Sequence, residues 1–266
     1  MNTGKGICFT VLVGLLALAP LSAVSQQHET PQVPEKETLK RIDPSDFFTQ
    51  FQLRNEYRVL QSGGEVNLLK PRLDYAFSKT FLIRLEVPVV YSDLDLPEMD
   101  SETGLGDILL RGAFRVARGE RYAVVAAAEF ILDTASDPTL GLGKNRFAPL
   151  VFASIEVPSL RSRFFPFYQH VFSFAGDENR PDINYASIRP SVILTKWPNR
   201  WYTVVDPNFF VDFEQETKSG MTLELEVGRP VKKNVNVWVR PGVGVYGDIP
   251  QVYDWNLEVG VRFYFR

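Results

Sequence analysis

Apolar and polar side chains alternate with a period of two through most of the chain between Phe47 and Phe265. In one segment, for example, Ile83 and Leu85 alternate with Arg84 and Glu86. Successive side chains of a β-strand point to opposite faces, so this period predicts strands and not helices. Twelve such segments follow one another, and most of them are ten to thirteen residues long.

The length of these segments favours a membrane-spanning barrel. Strands of soluble proteins usually have about five or six residues, whereas a tilted strand of about 9–11 residues crosses a bilayer. A sheet in hydrocarbon has to close on itself because an open edge would leave backbone groups unpaired. We therefore predict an all-β fold, a closed antiparallel transmembrane β-barrel of about 12 strands in an up-and-down meander. A soluble β-sandwich or lipocalin-like barrel is the alternative, and the strand length and unbroken meander disfavour it.

The N-terminus has the features of an export signal. Lys5 precedes an apolar run from Ile7 to Leu21, and small residues follow at 23–25, so residues 1–25 are predicted to be a signal peptide. The single cysteine, Cys8, lies at the start of that run and would leave with it, which excludes a disulfide framework in the mature chain.

Residues 26–46 contain three prolines, many charges and few large apolar side chains. This composition predicts a flexible periplasmic lead segment, followed by the outer-membrane β-barrel at 47–266. A further hypothesis is that the lead segment enters the barrel from the periplasmic side as a gate. The alternative is a mobile periplasmic tail.

The lengths of the links between strands predict the orientation. Links near residues 78–80, 118–120, 159–162, 197–200 and 232–234 are short, and those on the other side are longer except for the one at 62–65. Short turns normally face the periplasm, so both termini are predicted to be periplasmic in a bacterial outer membrane. Aromatic side chains at the strand ends fit the girdles of such barrels; they are Trp197, Trp201, Trp255 and Phe265.

The polar faces of the strands carry many charged side chains. An Arg or Lys facing lipid at the bilayer midplane costs about 2–4 kcal/mol, so these faces are predicted to line the lumen. The predicted lumen-lining residues are Arg54, Glu56, Arg58, Lys70, Arg72, Asp74, Arg84, Glu86, Asp107, Arg111, Arg115, Glu129, Glu156, Arg189, Asp206, Glu224, Glu226, Arg240, Glu258 and Arg262.

These charges are unevenly distributed along the chain. The first four strands carry a basic excess, and the later strands, on which Asp133 and Asp212 are also counted, carry an acidic excess. Two opposed walls would create a transverse field that favours polar or dipolar solutes. The alternative is local pairing of charges across neighbouring strands, which fills the lumen without selecting a solute.

Other functional classes find less support in the sequence. A net charge of −3 disfavours a nucleic-acid binder, and no cofactor site or metal-ligand spacing is recognisable. A calcium site at the acidic loop 93–102 is a weaker hypothesis than a solvated loop. His170 and Ser173 point to opposite faces, but Ser187 and Ser191 on the next strand could reach His170, so a lipid hydrolase stays open as an alternative.

One stretch resembles a known family. Gly104-Leu105-Gly106-Asp107 opens a strand and not a helix, which argues against a phosphate-binding loop. The stretch TGLGDILLRGAFRV at 103–116 and the ending WNLEVGVRFYF at 255–265 resemble the phenol-degradation meta-pathway family of outer-membrane β-barrels. The resemblance implies a barrel that moves small or hydrophobic compounds across the outer membrane. The chain departs from the usual barrel ending by placing Arg266 after Phe265.

These observations predict a narrow passive channel or facilitator for small compounds, aromatic or hydrophobic ones included. Barrels of eight strands are filled and barrels of sixteen leave an aqueous pore, so twelve strands suggest a narrow passage. The predicted partners are outer-membrane lipid, a small-molecule solute and the barrel-assembly machinery. The alternative is a structural or adhesive barrel with a plugged lumen.

Overall fold

The computed structural model describes residues 40–95, 100–195, 197 and 200–265, all within the unit Val33–Arg266. The predicted signal peptide lies outside the described residues, as do residues 26–39 of the lead segment. The strands are β1 (Gln50–Leu60), β2 (Glu65–Ala76), β3 (Phe81–Glu86), β4 (Val89–Asp93), β5 (Glu102–Leu105), β6 (Ile108–Arg118), β7 (Tyr122–Leu132), β8 (Lys144–Val157), β9 (Ser162–Gly176), β10 (Asn184–Leu194), β11 (Tyr202–Asp212), β12 (Lys218–Lys232), β13 (Val235–Tyr246) and β14 (Tyr253–Tyr264).

The strands form a closed antiparallel barrel. β3 and β4 make one spanning strand that is interrupted at residues 87–88, and β5 and β6 make another that is interrupted at residues 106–107. Twelve spanning strands result, each paired with its neighbours in the sequence, and β1 pairs with both β2 and β14. The predicted 12-stranded meander is therefore confirmed.

The two faces of the barrel wall differ as the alternation requires. Apolar side chains cover the outer face and are largely exposed, as for Val243 at 48% and Phe114 at 52%. Acidic side chains on the other face are almost fully buried, as for Glu56 at 3% and Asp206 at 3%. An exposed apolar surface that surrounds the whole molecule is unfavourable in water and is covered when it lies in hydrocarbon. Within the described residues, no helix is long and apolar enough to cross a membrane.

Short and long connections lie at opposite ends of the barrel. The turns at 77–80, 119–121, 158–161 and 233–234 and the described residues between β10 and β11 share one end with residues 40–49 and with the end of β14. The link at 61–64, the longer ones at 133–143, 177–183, 213–217 and 247–252, and the described residues between β4 and β5 lie at the other end. The predicted division of the links is thus observed, and Trp197, Trp201, Trp255 and Phe265 are all exposed.

The Gly-Leu-Gly-Asp motif joins a long loop to the wall. A Cβ on Gly104 would lie 2.1 Å from Ser136 Oγ, so the absence of a side chain lets loop 133–143 approach the strand. The backbone nitrogen of Ser136 then donates to the Leu105 carbonyl at 2.9 Å. Asp107 accepts from Arg146 at 2.7 Å. The motif therefore orders one end of the barrel.

Candidate functional site

The interior of the barrel contains a continuous network of charged side chains. All twenty residues predicted to line the lumen are buried or half-buried, and none of them belongs to the exposed class. The alternate residues on the same strands carry the exposed apolar side chains. The sequence alternation thus separates the charged and the apolar faces along most of the wall.

Basic side chains of β1–β6 bind carboxylates on nearby strands. Arg54 binds Glu86 of β3 and Glu258 of β14. Asp74 is shared by two guanidinium groups, those of Arg72 at 2.6 Å and Arg84 at 2.7 Å. The other pairs of this group are Arg58–Glu56, Lys70–Glu56, Lys70–Glu258 and Arg111–Glu129.

On β11–β14 there are more carboxylates than cations. Arg240 binds Glu226 and reaches Glu224 at 3.2 Å, and Arg189 binds Asp206. Neutral donors complete this group of carboxylates. They are Asn256, 3.0 Å from Glu56 and 3.1 Å from Glu224; Trp238, 3.0 Å from Glu258; and Tyr253, 2.8 Å from Glu224.

Most of the ion pairs join strands that are adjacent or one strand apart, and two lie within a strand, which together is the arrangement of local pairing. Two acidic residues counted with the wall lie at its edges. Asp133 follows β7 and is exposed, and the Glu156 side chain near the other end is 40% exposed, 3.8 Å from Arg163. Most charged side chains of the interior therefore have a neighbour of opposite sign, and an excess of one sign remains only locally.

Residues 40–49, which we call the N-terminal plug, enter the barrel at the end with the short turns. Ile42, Asp43 and Ser45 are almost fully buried. The Arg41 carbonyl accepts from Tyr264 of β14 at 2.8 Å, and the Ser45 carbonyl accepts from Arg115 of β6 at 3.0 Å. A segment can contact both of these strands and remain buried only when it lies inside the closed wall.

Two aspartates anchor the plug to the wall. The Asp43 carboxylate lies 2.7 Å from Arg163 of β9 and accepts from Ser154 of β8 at 2.8 Å. Asp46 binds Arg118 at 2.6 Å and Arg115 at 3.2 Å. Hydrogen bonds to charged groups contribute about 1.5–3 kcal/mol each, so these contacts favour the inserted position of the plug.

The plug also completes an apolar cluster in the interior. Ile42 and Phe47 pack among side chains from seven consecutive segments of the wall. Those side chains are Leu82 of β3, Ala113 of β6, Val125 of β7, Leu150 and Phe152 of β8, Phe165 of β9, Ile193 of β10 and Tyr202 of β11. The part of the predicted flexible lead segment that the structure describes is therefore packed, because it covers apolar surface on the inner wall.

The serine–histidine arrangement considered for a hydrolase is not formed in the described part of the chain. His170 Nε2 donates a hydrogen bond to Asn184 Oδ1 at 2.8 Å, and the imidazole stacks on Phe213. Ser187 Oγ donates to Asn208 and Ser191 Oγ donates to Asp206. The strand register places His170 opposite Ala186, so both serines, at odd positions of β10, face away from the imidazole.

The long loops at the other end are fixed by their own carboxylates. The backbone N–H of Thr139 donates to Asp137 at 2.8 Å and lowers the pKa of that carboxyl. The N–H of Asn179 lowers the pKa of Asp177 in the same way. A hydrogen bond from Lys144 at 2.9 Å lowers the pKa of Asp182. The described residues contain no group of three His, Cys, Asp or Glu side chains that could bind a metal ion.

Several interior residues were not found from the sequence. Gln52, Asn256 and Trp238 occupy the polar face, and the alternation of their strands could have identified them. Nothing in the sequence distinguishes Asp43 and Asp46 from the other charged residues of the lead segment. A usable signal was the combination of Ile42 with Phe47 and Phe48, which are apolar residues in an otherwise polar stretch.

Comparisons with known proteins support the fold. Neither the family models nor the curated proteins give a match. Among solved structures, an outer membrane channel from Pseudomonas putida F1 superposes with a TM-score of 0.68 at 9% identity, over 91% of this chain and 100% of that one. The NanC porin gives 0.58 at 10% identity, over 81% and 100%, and the KdgM porin gives 0.54 at 11%, over 82% and 99%.

This chain therefore has the fold of outer-membrane channels and porins. At identities this low, the likeness concerns the fold alone. The resemblance to the phenol-degradation meta-pathway family stays a prediction.

Proposed function

We propose that this protein is an outer-membrane channel or facilitator for small solutes. The observation that carries the proposal is the closed barrel with an apolar outer face and a buried charged interior. Similar folds in the named porins and in the Pseudomonas putida F1 channel support it. Lipid of the outer membrane would cover the apolar face, and the barrel-assembly machinery would insert it.

The predicted lumen-lining residues would then form the solute pathway. The interior is narrow because ion pairs such as Arg54–Glu86 and Arg240–Glu226 extend from the wall and the N-terminal plug occupies one end. The short turns lie at the end that holds the plug, and in outer-membrane barrels this end faces the periplasm. Both termini would accordingly be periplasmic and the plug would close the periplasmic opening.

The plug also favours a second candidate function. A barrel whose interior is permanently filled would be structural or adhesive, and the ion pairs of Asp43 and Asp46 with the wall are compatible with permanent insertion. The two candidates differ in one property, which is solute movement through the purified full chain.

Reconstitution separates these candidates. The mature protein in liposomes should allow swelling with small neutral solutes, and the rate should fall steeply as solute size increases. Liposomes without protein provide the control. The channel proposal is contradicted if no solute enters and planar bilayers show no conductance, whereas the structural proposal predicts that result.

A further inference from the structure

A cavity of about 80 Å³ lies inside the barrel between the N-terminal plug and the wall. The plug contributes its residues 41–44 and 46–48, and the wall contributes residues of β1, β2, β3, β6, β7, β8 and β14. The cavity therefore lies in the path of any solute that crosses the barrel.

Cations outnumber anions around this cavity. Five arginines and three aspartates line it. Two of these carboxylates bind arginines that do not line the cavity, because Asp43 binds Arg163, and Asp46 binds Arg115 and Arg118. Arg111 binds Glu129 outside the cavity, so of the lining aspartates only Asp74 remains for Arg72, Arg84 and Arg262.

The register of the strands groups the donors on one side. Gln52 of β1 lies directly opposite Arg72 of β2 and Arg262 of β14. On the next row, Arg84 of β3 lies opposite both Asp74 and Arg111. Arg72 and Arg84 share the single Asp74 carboxylate. The result is a semicircle of positive groups and amide donors.

Two of these donors have no acceptor in the described part of the chain. They are Gln52 Nε2, on a side chain that is 1% exposed, and Arg262 Nε. A buried donor without an acceptor costs about 1–3 kcal/mol. Both atoms are covered but belong to residues that line the cavity, so a small rotation of each side chain would present its donor to an anionic oxygen placed there.

A further part of the cavity lining is apolar. It is formed by Leu82, Ala113, Ala127 and Phe152 of the wall and by Phe47 and Phe48 of the plug. Most of these side chains belong to the apolar cluster that surrounds the plug. An inorganic anion would leave this surface uncovered, whereas a ligand with an apolar body would cover it.

We propose that the cavity is a binding site for a small carboxylate that has an apolar body. The carboxylate accepts from Arg72, Gln52 and Arg262, and planar guanidinium groups suit its two oxygens. The apolar body packs against Leu82, Phe152 and Phe47. The inference rests on the proposed function because it names the solute class that the channel would take.

Binding can be measured without conduction, so the two proposals fail separately. Isothermal titration of the detergent-purified mature protein would use benzoate, benzyl alcohol and acetate as probes. Benzoate should bind at least about tenfold more tightly than either of the others, since loss of a charge-assisted contact or of apolar contact each costs about that factor. Equal binding of benzyl alcohol, equal binding of acetate, or no binding of benzoate would overturn the proposal.

Variants then assign the binding to the cavity. Gln52→Met removes an unpartnered amide without breaking an ion pair, and Arg72→Gln removes one of the two guanidinium groups at Asp74. Each should weaken benzoate binding by about tenfold. Arg121→Gln is the charge-matched control, because Arg121 is exposed in the turn before β7, and it should leave the affinity unchanged. Unchanged benzoate affinity in the folded Gln52→Met protein would overturn the assignment.

Discussion

At the scale of single residues, Asp43 is the clearest connection between the plug and the wall. Its carboxylate is 2% exposed and binds Arg163, Ser154 and the Ser45 hydroxyl. We predict that Asp43→Asn weakens plug insertion because Arg163 loses its charged partner. A loss of about 1.5–3 kcal/mol would raise the fraction of time that the plug is displaced by about tenfold or more.

Single-channel recordings measure this fraction as the open probability. Asp133→Asn makes the same chemical change at an exposed position beyond β7 and should leave the recordings as they are. If Asp43→Asn behaves like Asp133→Asn, the Asp43 anchor does not hold the plug.

The sequence predicts the interior charges better than it predicts the plug. Glu56 and Arg58 lie on β1, where apolar and polar residues alternate regularly. Their place in this alternation therefore predicts the face of the wall to which they point. Asp43 and Asp46 lie in a segment that has no period, and several other charges precede them. Their role depends on contacts with Arg163 and Arg115, which are more than 60 residues away in the chain. Local sequence does not determine such contacts.

At the scale of strands, the alternation of apolar and polar residues predicts which side chains face the interior for eleven of the twelve spanning strands. β9 is the exception, since aromatic side chains occupy both of its faces. In the structure Phe165 and Phe167 belong to the interior cluster, while Tyr168 and Phe174 are exposed. The ambiguity arises because the plug makes the interior locally apolar there, so that both faces of β9 contact apolar surroundings.

Close packing inside the wall gives a prediction for β14. A Cβ on Gly260 would lie 2.2 Å from the indole ring of Trp238 on β13, whereas a Cβ on Gly112 of β6 would meet nothing within 4 Å. Gly260→Ala should therefore destabilise the barrel by about 1–3 kcal/mol, because the ring also donates to Glu258 and is not free to move.

The measurement is the temperature at which the folded barrel loses its fast migration on a denaturing gel. Gly112→Ala is the matched control, and we expect little change for it. A Gly260→Ala protein that unfolds at the temperature of the parent would show that the close approach of Trp238 is not required.

At the scale of the whole molecule, the proposed channel should select ions by the distribution of charge in its interior. The side formed by β1–β6 carries most of the cations, and several of them share a carboxylate, as Arg72 and Arg84 share Asp74. Replacing both Arg54 and Arg111 with Gln should shift the reversal potential in a salt gradient toward cation selectivity. Arg115 is left in place because it binds the plug.

A double variant with Lys79→Gln and Arg121→Gln removes the same charge from exposed turns and should produce a smaller shift. Equal reversal potentials for the parent and the Arg54/Arg111 variant would mean that local pairing cancels the charge of this side.

The central claim is that the barrel is a narrow passage closed at one end by its N-terminal plug. Single-channel conductance of a chain without residues 26–44 tests it most directly, beside a control deletion of residues 26–38 that keeps the plug. We expect the longer deletion to increase conductance and the time spent open, because it removes Ile42 and Asp43 from the interior. The shorter deletion should behave as the mature chain does. Equal conductance in all three proteins would contradict the claim.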